Sequence, residues 1–188
     1  MTGLILKRIA LGLTVFFGFF AGAFIIGETF ADPGGWRAVG LVAVWLVPLL
    51  IAAGLAWWLP TVAEWVIGVA VTLTISTFVW AAVDSQAWRS FESGHGPVRA
   101  IAIFCLSIPI VVLGWHRPLF AGVTLAALVL SPFFLLIFSG GAGVAQVSVG
   151  MICAPLLIVA LLLVMAGLDE RGKDGQLTVE RPGAEGRG

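Results

Sequence analysis

Six long apolar stretches fill the chain between residues 9 and 168, and no Lys, Arg, Asp, Glu or His lies near the middle of any of them. A soluble domain of 188 residues needs a charged surface, yet this chain is 60% hydrophobic and 11% charged, with a mean hydropathy of +1.10. A bilayer lifts that requirement. The pattern therefore predicts an all-α integral membrane bundle of six transmembrane helices. Eight Trp, thirteen Phe and no Tyr fit the same environment, with Trp suited to the headgroup boundary.

The predicted spans are 9–27, 38–59, 61–83, 98–115, 118–138 and 144–168. A helix needs about 20 apolar residues to cross the hydrocarbon core. The fourth span is the weakest, with Arg99 at one end and His116 just past the other. Arg99 can snorkel to the interface and lengthen it. The breaks carry turn chemistry. Asp32, Pro33, Gly34 and Gly35 form a turn signal, with glycine free to take positive φ. Pro60 and Pro118 suit the first position of a helix, where the missing N–H costs nothing. The run 139–143 is a Gly-rich loop, and 84–97 is the longest connection. In that loop Trp88 and Phe91 suit a short interfacial helix ending at Gly94. The domain organisation expected is a six-helix membrane domain over 1–168 and a disordered polar cytoplasmic tail over 169–188.

Basic residues orient the spans. With the N-terminus cytoplasmic, that side receives Lys7, Arg8, Arg117, Arg171, Lys173, Arg181 and Arg187, against Arg37, Arg89 and Arg99 outside. An even number of spans places both basic termini at the plasma membrane's cytoplasmic face. Lys7, Arg8 and the run 21–23 faintly resemble a signal peptide, but the apolar run continues through Ile26, beyond the usual h-region of about 7–15 residues. A membrane helix is the expectation there.

The second, fourth and sixth spans each hold a proline near mid-helix: Pro48, Pro109 and Pro155. Each is expected to kink its helix and free the carbonyl four residues back, at Val44, Cys105 and Met151. Kinks that help the helices pack are the first reading, and a shared cavity between the three helices is the second. Pro132 stands apart, with Ser131 beside it as a local hydrogen-bond partner. The sequence around Pro48 recurs at Pro155, and W-x-x-P occurs at Trp57–Pro60 and again at Trp115–Pro118, which suggests weak hairpin repetition. Gly18 and Gly22 form a GxxxG, a candidate for close helix packing within the chain or with another copy.

Chemistry is sparse. Glu28 and Asp32 are expected as boundary acids, with Glu28 a candidate polar contact. Glu64, early in the third span, suits the positive end of that helix. Thr72, Thr74, Ser76 and Thr77 are expected to bond their own helix's carbonyls or a neighbouring helix, as are Gln146 and Ser148. Cys105 and Cys153 fall inside apolar segments without a CxxC, as inert thiols. His95 and His116 lie on opposite sides of the bilayer, so they cannot share a metal, and no span holds a histidine for haem or zinc. HExxH, P-loop, GxGxxG and GxSxG motifs are all missing from the sequence. A proton-coupled carrier usually needs an ionisable group at mid-depth. Lys plus Arg and Asp plus Glu balance at ten each, which gives nucleic acid nothing to follow. No catalytic set, metal or cofactor is expected.

Gly27-Glu28, Pro48-Leu49-Leu50, Trp57-x-x-Pro60 and Trp115-x-x-Pro118-x-x-x-Gly122 together resemble uncharacterised small multi-pass bacterial membrane proteins carrying a domain of unknown function. The likeness covers roughly residues 7–138 and implies a bacterial inner-membrane protein, with no activity or site residues to carry over. Apart from the lipid bilayer, the expected partners are a second copy of the chain or another membrane protein. The expected role is non-enzymatic and multi-pass, acting by association. A small-solute channel or carrier with a cavity between the kinked helices is the alternative, and a lipid or quinone enzyme comes third.

Overall fold

Proline and glycine set the helix boundaries. The computed structural model describes residues 2–31, 35–84, 86, 98–139 and 144–179. Among them the chain forms six helices and no strand: α1 (Thr2–Ala31), α2 (Gly35–Trp58), α3 (Pro60–Val83), α4 (Val98–Leu113), α5 (Pro118–Ser139) and α6 (Val144–Val179). Gly35 opens α2 at φ +58°, a left-handed conformation that glycine adopts without a Cβ penalty. Pro60 and Pro118 stand first in α3 and α5, as expected. Between α4 and α5, Trp115 and His116 donate to carbonyls three residues back, at 3.1 and 3.0 Å, and so tighten the end of α4 before Pro118 starts the next helix. Residues 32–34, the loop with Trp88, Phe91, Gly94 and His95, and 140–143 lie outside the described residues. So do the side chains of Glu28, Arg99, Gln146 and Ser148.

Successive helices alternate in direction, and contacts from α1 to α6 put the start of α1 and the late part of α6 at the same end of the bundle. The most extensive packing joins α5 to α6 and α1 to α6. The shortest helix, α4, touches all five others and is the innermost element. Its Ile103, Ile110, Leu113 and Pro109 are fully buried, and they join Leu125, Leu128, Val159 and Leu163 from α5 and α6 in the core. Among the described residues, segments of three helices suffice by length and composition to cross a membrane: Gly3–Phe20 in α1, Pro60–Val83 in α3 and Cys153–Lys173 in α6.

Close backbone approach occurs where GxxxG does not predict it. A Cβ on Gly167 of α6 would fall 2.6 Å from the Leu119 nitrogen of α5, and one on Gly122 would fall 2.7 Å from the Val164 nitrogen. Those two glycines let α5 and α6 touch backbone to backbone. The candidate packing pair is used more loosely. Gly18 meets Phe104 and Ile108 of α4 at ordinary distances of 3.7 and 3.9 Å, whereas Gly22 has open space where a Cβ would stand.

All three predicted kink positions lie within helices that continue past them. Their exposure differs: Pro48 is exposed, Pro109 is fully buried and Pro155 is intermediate. Residue 169 is not where order stops. Helix α6 continues to Val179, through a segment expected to be disordered. Asp169 accepts hydrogen bonds from the Gly3 N–H at 3.0 Å and from the Lys173 ammonium one turn on, and these bonds hold the polar extension against α1.

Candidate functional site

Among the described residues, ion-paired side chains from α1, α3, α6 and the α4–α5 turn meet at one end of the bundle, where α1, α3 and α5 begin and α2, α4 and the apolar part of α6 finish. Lys7 of α1 is the most enclosed of these charges, with 11% of its side chain exposed. Its ammonium donates to the Trp115 carbonyl at 3.0 Å and pairs with Glu170 of α6 at 2.6 Å. One cation therefore joins the first helix, the α4–α5 turn and the last helix. The turn also supplies Arg117, whose Nε lies 2.9 Å from Glu64 Oε1. Glu64 sits beyond the first turn of α3, so its charge is met by Arg117 and not by the helix terminus. Trp57, at the end of α2, packs edge-on against His116 with ring centroids 5.8 Å apart, so the two W-x-x-P turns meet.

Two cavities adjoin this cluster. The first, about 290 Å³, is lined by Glu64, His116, Arg117, Phe120, Glu170 and Arg171 among others. The second, about 500 Å³, is an open groove between α3 and α5, lined by Glu64, Trp65, Gly68, Thr72, Leu73 and Phe120. Glu64 and Phe120 border both, so a polar chamber runs into an apolar groove.

Several hydroxyls are spent locally. Thr72, Thr74 and Ser76 donate to carbonyls four residues back, each at 2.8 Å, and Thr77 donates to Thr74 at 2.7 Å, the self-bonding expected of them. Ser131 donates at 2.7 Å to the Leu128 carbonyl, the one that Pro132 leaves without its helical donor. Cys105 and Cys153 are free thiols. Among the described residues, no three of His, Cys, Asp and Glu gather as metal ligands.

The sequence supplied Glu64 and Arg117 as neighbours of the same face, but not as a pair. Lys7, Trp115 and Glu170 carried no local signal of their meeting, because 108 residues separate the first two. No family model, no curated protein and no solved structure matches this chain.

Proposed function

We propose that the chain is a six-span integral protein of the plasma membrane with both termini cytoplasmic, and that it works by association with itself or another membrane protein and not by chemistry of its own. The outward face of the bundle carries this reading. On α1, Val15, Phe16, Phe19 and Phe20 are exposed, and Gly12 and Gly22 leave open space beside them. Residues 12, 15, 16, 19 and 20 follow helical spacing, so they form one apolar stripe. Helices α2 and α3 add Val44, Leu50, Ile51, Val69 and Leu73. Water would penalise so much contiguous apolar surface, whereas lipid or a partner helix satisfies it.

Tryptophan placement supports the depth. Trp36 and Trp58 are exposed near the two ends of α2, 22 residues apart. At 1.5 Å per residue that is about 33 Å, close to the roughly 30 Å hydrocarbon thickness. The basic residues Lys7, Arg8, Arg117, Arg171 and Lys173 share one end, the arrangement expected of a cytoplasmic face.

Cysteine placed at Phe16 on a background lacking Cys105 and Cys153 should give a disulfide-linked dimer, or a cross-link to a partner, in native membranes. Cysteine at Ile110 in the core should give none. Absence of any adduct at the α1 stripe, together with a lone monomer after gentle detergent extraction, would refute association. Reporters at the two termini that lie on opposite faces of the membrane would refute the six-span arrangement.

A further inference from the structure

We propose that the joined cavities bind one anionic membrane phospholipid, its phosphate held by Arg171, Arg117 and the first turn of α5, and one acyl chain lying in the α3–α5 groove. This inference rests on the membrane reading above.

The charge balance selects an anion. Glu64 and Glu170 line the polar chamber, but each already has a cation: Arg117 for Glu64 and Lys7 for Glu170. Arg171 is exposed on the same chamber and has no ion pair among the described residues. Counting Lys7, Arg117 and Arg171 against the two acids leaves one positive charge. Pro118, Leu119 and Phe120 of α5 also border the chamber. Pro118 has no N–H, so the Leu119 and Phe120 N–H groups are the first-turn donors without an acceptor in their own helix, and the macrodipole makes that end positive. The guanidinium groups and the helix start therefore surround the chamber with donors, and a phosphate is the group that such donors fit.

The groove selects an alkyl chain. It leaves the chamber at Glu64 and Phe120 and runs along α3 past Gly68 to Thr72. Residues 64, 68 and 72 are spaced one turn apart, so the groove descends about 12 Å along the helix. Thr72 offers no free donor, because its hydroxyl donates to the Gly68 carbonyl. Gly68 forms the floor: a Cβ there would meet nothing within 4 Å. Exposed Trp65 stands at the mouth, where indole favours the headgroup boundary. A free phosphate has no use for the groove, and a plain hydrocarbon has none for the chamber.

The open floor supplies a clean variant. Gly68→Leu brings a side chain into the groove from a Cβ that meets no protein atom within 4 Å, and Gly12→Leu, equally open at its Cβ but on α1, is its control. The full chain, purified in mild detergent, is mixed with phosphatidylglycerol or phosphatidylcholine, and retained lipid is counted by native mass spectrometry. Wild type and Gly12→Leu should keep one phosphatidylglycerol in preference to phosphatidylcholine, with millimolar inorganic phosphate failing to displace it. Gly68→Leu and Arg171→Gln should each lower retention about tenfold, the effect of losing one charge-assisted contact or its steric equivalent. Unchanged retention in both variants, or equal retention of the two lipids, overturns the site. Sensitivity to Arg171→Gln without sensitivity to Gly68→Leu overturns the acyl groove. Carbonate washing of membranes separates the two failures: a chain that washes off defeats the membrane reading itself, and a chain that stays confines the failure to the lipid site.

Discussion

At single positions, backbone groups decide more than side-chain identity. Pro132 removes the donor for the Leu128 carbonyl, and the Ser131 hydroxyl takes its place at 2.7 Å. Ser131→Ala should therefore cost about 1 kcal/mol. In a Pro132→Ala background the amide returns, and the same serine change should become nearly neutral, a coupling that a double-mutant cycle of thermal stability in detergent measures. The glycines separate in the same way. Gly167→Ala and Gly122→Ala drive a methyl into facing backbone, so each should lose about 1–3 kcal/mol by overpacking. Gly22→Ala meets open space and should be neutral or gain up to about 1 kcal/mol from helix propensity. GxxxG marked Gly18 and Gly22 by spacing alone. What makes a glycine indispensable here is the helix opposite it, and spacing within one segment does not encode that.

Elements were the most legible level. Proline at 60 and 118, glycine at 35 and the long apolar runs located the six helices among the described residues, because local chain chemistry controls helix ends. The error at α6 has an equally local cause with a distant part. Asp169 and Lys173 are one turn apart, a pairing that the sequence displays, but the Gly3 N–H that completes the site comes from the far end of the chain. The Lys173 hydrogen bond is the main reason that the Asp169 carboxyl titrates below its usual range, and the same bond raises the Lys173 ammonium. A lowered acid pKa stabilises the fold at pH above the unfolded value of about 3.9, and that contribution fades as pH falls through the folded value. A raised lysine acts below about 10.4 and fades as pH climbs past its folded value. Amide exchange over 169–179 should therefore be slowest between about pH 4 and 10 once corrected for its intrinsic pH dependence. Asp169→Asn should abolish the acid transition. An unchanged acid profile in that variant would remove Asp169 from the explanation.

Across the whole molecule, the bundle is solid at α4 and bare on its flanks. Ile110 is fully buried among five helices, and Ile158 of α6 is 54% exposed. Ile110→Ala should cost about 2–5 kcal/mol because it opens a void, whereas Ile158→Ala should change stability by less than about 0.5 kcal/mol. Urea or heat titration of the two variants in the same detergent compares them directly. The weakest apolar run proved to be the central helix for a physical reason. A helix sheathed by five others answers to their packing, and hydropathy along one segment carries no record of its neighbours. The ionic end was hidden for the same reason, since Lys7, Trp115 and Glu170 come from three separated parts of the chain.

That three-way junction has a consequence for biogenesis. Helix α1 packs far more on α6 than on α2, and the carboxylate that answers Lys7 is translated only with α6. Helix α1 leaves the ribosome long before α6, and its ammonium gains the Trp115 carbonyl first and a carboxylate only when α6 arrives. A nascent chain stopped short of residue 170 would leave that end of the bundle without its ion pair, and such stalled chains are the ones that proteases should clear first.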